Sequence, residues 1–154
     1  MSLRNRLLLR LLSLYPPFLG AGIRVRRLAR APDVYEARMK LRGWNRNVVG
    51  THFGGSLYTM CDPFFMLILI DGLGPGFVVW DKSATIRFRR PGRGTVRARF
   101  EIAAATIESL RAEVAANGRA EPVFVAEAIG DDGAVVAEIE KVISIKPRRP
   151  PIAD

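Results

Sequence analysis

From Ser56 to Ile70 almost every residue is apolar, and this one segment restricts the folds open to the chain more than any other feature. Hydrophobic on nearly all sides, it reads as a helix buried all round. The segments around it have a different period. Tyr35, Ala37, Met39 and Leu41 alternate with Glu36, Arg38, Lys40 and Arg42. Residues 77–89 set Val78, Trp80, Ala84, Ile86 and Phe88 against Asp81, Ser83, Thr85, Arg87 and Arg89. Over Thr95–Ala105, Val96, Ala98, Phe100 and Ile102 alternate with Arg97, Arg99 and Glu101. Alternation of period two marks half-buried strands. Ile23–Ala29 adds a short strand, and Val123–Ile129 with Val135–Ile145 makes a closing hairpin around Asp131-Asp132-Gly133. Ile107, Leu110, Arg111 and Val114 have helical spacing, closed by Asn117-Gly118. No βαβ alternation occurs, so the pattern predicts an α+β fold: a curled antiparallel sheet wrapped around one long central helix. Pro63 lacks a backbone N–H and predicts a kink after Asp62.

The 154 residues suffice for one substantial core. Leu7, Leu8, Leu11, Leu12 and Tyr15 recur opposite Arg6, Arg10 and Ser13, which predicts an N-terminal amphipathic helix stopped by Pro16 and Pro17. The expected organisation is that helix and connector over residues 1–20, the main domain over 21–146 and a Pro/Arg-rich tail over 147–154. The single cysteine, Cys61, forms no internal disulfide, fits a reducing, cytoplasmic setting and reads as a small core residue. Net charge is +9, with seven arginines and no acid in residues 1–30 and six arginines and no acid in residues 87–99. Such patches favour anionic partners. Nucleic acid is not expected, because zinc spacing, a recognition-helix pattern and an aromatic ribonucleoprotein motif are all missing from the sequence.

One charge interrupts the apolar segment: Asp62. An ionised carboxylate is rarely buried without a partner. Gly54 and Gly55 sit where the central helix begins, where free N–H groups and the positive dipole end suit an oxyanion. Asn45, Asn47 and His52 precede that turn and are candidates for orienting water or substrate. A carbonyl held by the glycine amides and a water held by Asp62 would make a hydrolytic site. The same residues also fit a scaffold: a glycine turn, loop asparagines satisfying backbone, and an aspartate bonding groups freed by Pro63.

The segment NVVGTHFGGSLYTMCDP followed by SATIRFRRPGRGTV resembles the hot-dog thioesterases of the phenylacetyl-CoA type, nearest a subgroup described as a domain of unknown function. The resemblance spans roughly residues 20–146 and implies the hot-dog fold. It further implies Asn47 and Gly50 in the loop, Gly54 and Gly55 at the helix start, Asp62 as the helix carboxylate and Thr85 on a strand near the water. Asp62 would be the general base, its pKa raised by apolar neighbours, and the Gly55 amide the oxyanion donor. Ser56 and Ser83 would contact substrate. Arg87, Arg89, Arg90 and Arg93 would meet the phosphates of coenzyme A or an acidic acyl carrier protein. Neither cofactor nor metal is implied, and a homodimer or dimer of dimers is. Many members carry a histidine directly before the glycine pair; here Phe53 stands there and His52 one residue earlier. A non-catalytic acyl-CoA or lipid-binding module is therefore the alternative. Weak membrane-surface contact through the N-terminus is a third reading.

Overall fold

The computed structural model describes residues 11–30 and 32–148. Strands β1 (Ile23–Arg30), β2 (Asp33–Lys40), β3 (Phe77–Phe88), β4 (Thr95–Phe100), β5 (Val123–Ile129) and β6 (Val135–Pro147) form one sheet in the order β1-β2-β4-β5-β6-β3. Every neighbouring pair is antiparallel. A 3-10 turn at Leu12–Leu14 and helices α1 (Pro16–Ala21), α2 (Gly54–Thr59), α3 (Phe64–Leu73) and α4 (Ala104–Asn117) complete the elements of the described residues. The sheet curls around α2 and α3, the hot-dog architecture expected from the sequence pattern.

The core sits between α3 and the concave sheet face. Phe64, Phe65, Ile68, Leu69 and Leu73 of α3 are buried, and Phe64 stacks on Phe100 at a centroid distance of 4.4 Å. Phe65 stacks on Phe124 at 5.0 Å. Aromatic pairs of this kind contribute about 0.5–1.5 kcal/mol beyond their burial. The long helix expected over 56–70 is interrupted between Thr59 and Phe64, as Pro63 requires. Pro63 has no N–H to give the Thr59 carbonyl, and the chain recovers helical bonding at Leu67 N–H to Pro63 O, 2.9 Å.

The structure differs from the sequence reading at three points. First, Pro16 and Pro17, read only as the stop of the preceding helical segment, also begin a helix of their own, just after the short 3-10 turn Leu12–Leu14 ends. A proline at the first helical position loses only an N–H that has no intrahelical acceptor, and its fixed φ suits the helix. Phe18 of that helix is buried against Phe64, while the expected helical residues 1–10 lie outside the described residues. The second correction concerns β3. A bulge at Lys82 shifts its register against β6, so residues before and after it exchange faces. Val79 and Asp81 point inward; Val78 and Trp80, assigned to the core from the alternation, are exposed. The third is that β4 ends at Phe100, and the Thr95–Ala105 strand gives way to the start of α4.

Candidate active site

Along β6 the inward row reads Ala137, Ile139, Lys141, Ile143 and Ile145, and all five are buried. A lysine in such a row must satisfy its charge and its three N–H donors inside the protein. Lys141 does so fully. Its Nζ donates to the Asp62 backbone carbonyl at 2.6 Å, to Asp62 Oδ1 at 2.7 Å and to Asp81 Oδ2 at 2.7 Å. Ala84, the residue directly opposite on β3, leaves room for the lysine stem. Burial pulls the ammonium's pKa down, but the hydrogen bonds and charges of Asp62 and Asp81 outweigh it and hold the value above the ordinary 10.5. Lys141 is therefore charged at neutral pH, and its contribution to stability is lost only as pH rises through the raised value.

Asp62 is not enclosed by apolar neighbours as its sequence context suggested. Its side chain is 45 % exposed, and Oδ1 also accepts from the Tyr58 hydroxyl at 2.7 Å. Both bonds fall on Oδ1, and Oδ2 accepts none among the described residues. Asp81 Oδ1 is buried and accepts no hydrogen bond within the described chain. Cys61, next to Asp62, is fully buried, and burial pushes its thiol far above the range of a reactive thiolate.

At the start of α2 the Ser56 and Leu57 N–H groups both donate to the Phe53 carbonyl, at 3.0 and 3.2 Å. The Gly54 and Gly55 N–H groups reach no acceptor among the described residues. Two phenyl rings crowd these glycines. A Cβ on Gly54 would stand 2.8 Å from the Phe88 ring, and one on Gly55 2.5 Å from the Phe53 ring. Gly55, Ser56, Phe53 and Trp44 line a groove of about 440 Å³ between α1 and α2, and Asp62 is not among its lining residues.

The residues expected to orient substrate are occupied by the loop. Asn47 Oδ1 accepts from the Val49 and Thr51 N–H groups, and its Nδ2 donates to Thr51 Oγ1 at 3.0 Å. Asn45 ties the Ala21 and Lys40 carbonyls to the Arg42 N–H. His52 is buried and donates from Nε2 to the Gly94 carbonyl at 3.2 Å, which leaves Nδ1 unprotonated and without a partner in the described chain. Asn47 closes the loop on itself, Asn45 ties its start to Ala21 and Lys40, and His52 staples it to the Pro91–Gly94 turn.

Ser83 and Thr85 are not brought to Asp62. Thr85 pairs with Glu140 and Ser83 with Val142, both on the sheet face opposite Lys141. Arg87 and Arg89 lie on that outer face, bonded to Glu138 at 3.4 and 3.2 Å. Arg90 pairs with Asp132 at 3.1 Å, and Arg93 has no ion-pair partner among the described residues. Sequence reasoning missed Lys141 and Asp81. The parity of β6 carried the signal for Lys141, a lone cation in an apolar row. For Asp81 the signal was the phase break in β3, with Val79 on the polar parity and Lys82 on the apolar one.

Burial pulls the His52 imidazole below its ordinary 6.5, and the Gly94 bond, acting the other way, does not reverse this. The unfolded chain binds that proton more readily than the folded one, so stability present above pH 6.5 is lost as pH falls through the lowered value. In urea titrations over a pH series, the wild type should lose stability in acid relative to a His52→Gln variant. A difference that stays constant with pH would contradict this.

Comparison with known proteins agrees with this architecture. Residues 4–145 match the family described as "Domain of unknown function (DUF4442)". No curated protein matches the chain. Among solved structures, a Pseudomonas aeruginosa protein of unknown function named "Probable Thioesterase" superposes with a TM-score of 0.82 at 25% identity, covering 96% of this chain and 99% of that one. A Chlorobaculum tepidum protein of unknown function gives a TM-score of 0.74 at 15% identity, covering 94% and 95% of the two chains. A Haemophilus influenzae thioesterase gives 0.67 at 16% identity, covering 99% and 96%. The last two likenesses establish the fold alone. With a match over nearly its whole length and a sheet curled about a broken central helix, the chain belongs to the DUF4442 family and has the thioesterase-like hot-dog fold.

Proposed function

We propose that this protein hydrolyses thioesters of the acyl-CoA or acyl-carrier-protein type. The observation that carries the reading is the half-exposed Asp62 carboxylate, fixed at the helix break with Oδ1 saturated by Lys141 and Tyr58 and Oδ2 open. The names of the two similar thioesterases support the same reaction class.

In this reading the thioester oxygen takes the free N–H groups of Gly54 and Gly55, donors already aimed before the reaction starts. Asp62 Oδ2 draws a proton from water as general base. Asp81, through Oδ2 on the shared ammonium, steadies the Lys141–Asp62 pair. The buried Lys141 ammonium holds both carboxylates in position and balances their charge. Hydroxide adds to the carbonyl carbon, the C–S bond breaks, and the thiolate leaves with a proton returned from Asp62.

The spacing of the two groups favours a site built from two chains. Seven residues separate Gly55 from Asp62, about 10 Å if the chain rises 1.5 Å per residue as in a helix. That is too far for a carbonyl at one end and its attacking water at the other. Strand β3, the long edge of the sheet next to Asp81, carries unpaired backbone groups. A second copy paired along it would bring one chain's carboxylate toward the other chain's glycine amides. Sedimentation equilibrium should therefore report a homodimer, and a monomer at assay concentration would remove the two-chain site.

The chemistry is tested by thiol release from acyl-CoAs of graded chain length. Asp62→Asn, with its fold checked by circular dichroism, should lose roughly 10²-fold or more in kcat while still binding substrate. Unchanged turnover would take Asp62 out of the mechanism. Binding without thiol release from any acyl-CoA in the wild type would leave an acyl-CoA-binding module instead.

A further inference from the structure

On the far half of the sheet from Asp81, the outer face of β1 and β2 is almost entirely cationic. Arg24 stands directly opposite Arg38, and Arg38 opposite Arg97, so three arginines form a row across β1, β2 and β4. Like charges placed directly opposite across strands are destabilising. Arg97 is relieved by Asp131 at 3.1 Å. Arg24 and Arg38 have no ion-pair partner among the described residues. Glu36, opposite Arg26, is the one carboxylate in the β1–β2 pairing on this face.

The face is concave where α1 rises beside it. Arg24, Arg26, Arg38, Lys40, Arg42 and Trp44 line a cleft of about 570 Å³ whose lining contains no acidic residue. Trp44 is 66 % exposed, and Arg42 lies over its ring at 5.4 Å. The same Trp44 lines the groove that ends at Gly55, so the cleft and the groove share a wall. A walled concavity with five cations and an exposed indole suits a compact, multiply charged anion with a flat aromatic group, because guanidinium forks pair with phosphate oxygens in two-pronged bonds and an indole stacks on a base.

We propose that this cleft binds the phosphate groups and base of a nucleotide that carries the acyl thioester, with the acyl arm running past Trp44 to Gly55. Only the acyl end of this proposal rests on the thioester reading; the nucleotide end stands on the cleft alone. The cleft thereby favours a nucleotide-bearing thioester over one whose handle lacks the nucleotide. The arginines marked by the RPG segment, Arg87, Arg89 and Arg90, are already paired with carboxylates on the other half of the molecule and do not share this cleft.

Isothermal titration of the full chain with adenosine 3′,5′-bisphosphate and with free coenzyme A tests the nucleotide end with no thioester present. Both should bind, more weakly as salt rises. An Arg24→Gln/Arg38→Gln double variant should lose about tenfold or more in affinity. Arg119→Gln, at the exposed end of α4, should not. Equal affinity in wild type and double variant, or no binding of either nucleotide, would overturn the proposal. Pelleting with phosphatidylglycerol vesicles that depends on Arg24 and Arg38, without nucleotide binding, would overturn it too and assign the cleft to a lipid surface. Retained nucleotide binding with no thiol release would instead strike the hydrolase reading and leave this one standing.

Discussion

Everything near the candidate site depends on one ammonium group. Lys141 occupies an inward position of β6 that its neighbours fill with alanine and isoleucine, and it is fully buried. Its charge is tolerable there because three acceptors converge on it, and those acceptors come from two otherwise unconnected places. One is the backbone and side chain of Asp62, at the break that Pro63 imposes on the central helix. The other is Asp81, turned inward by the bulge in the edge strand. Removing an ion from water costs several kcal/mol, so the contacts must all be made or the arrangement fails. The consequence is positional. The helix break, β3 and β6 are locked together, and the carboxylate at the break is held with one oxygen open.

Much of the fold was legible in the sequence, because hydrophobic period is a local property. The strands at 23–30, 77–88, 123–129 and 135–147 follow from alternation, and the helix at 104–117 from its spacing and the glycine after it. The break beside Asp62 followed from Pro63, whose missing N–H acts wherever the residue stands. What failed were the points where local pattern has two outcomes. A pair of prolines suits both the end of one helical segment and the first turn of another, and only the first was read; here the 3-10 turn Leu12–Leu14 ends before them and α1 begins at Pro16, with Phe18 buried against Phe64. The alternation read through 77–89 passed over Lys82, which falls on the apolar parity at the site of the bulge; Val78 and Trp80 were placed inside and Asp81 outside, the reverse of what is found.

The site was half legible for the same reason. An aspartate in an apolar run announces that something must satisfy it, and Asp62 is indeed satisfied, though by a lysine 79 residues away. The asparagines and His52 are small polar groups near glycine turns, which sequence alone cannot divide between substrate and backbone. Here the backbone claims them: Asn45, Asn47 and His52 bond the loop that presents the start of α2. The electrostatics of the surface divide along the sheet. Arg87, Arg89 and Arg90 beside β3 are paired with Glu138 and Asp132, while Arg24 of β1 and Arg38 of β2 face one another without an ion-pair partner among the described residues and line a cleft.

The most direct test compares unfolding free energy and thiol release in Lys141→Met with those in a Lys141→Met/Asp62→Asn/Asp81→Asn variant. Loss of the ammonium alone strands two carboxylates and should cost about 3–5 kcal/mol, whereas neutralising all three groups together should restore most of that stability without restoring hydrolysis. A single variant as stable as the wild type, or a triple variant that turns over acyl thioesters at the wild-type rate, would contradict the central role given to the buried lysine and its two aspartates.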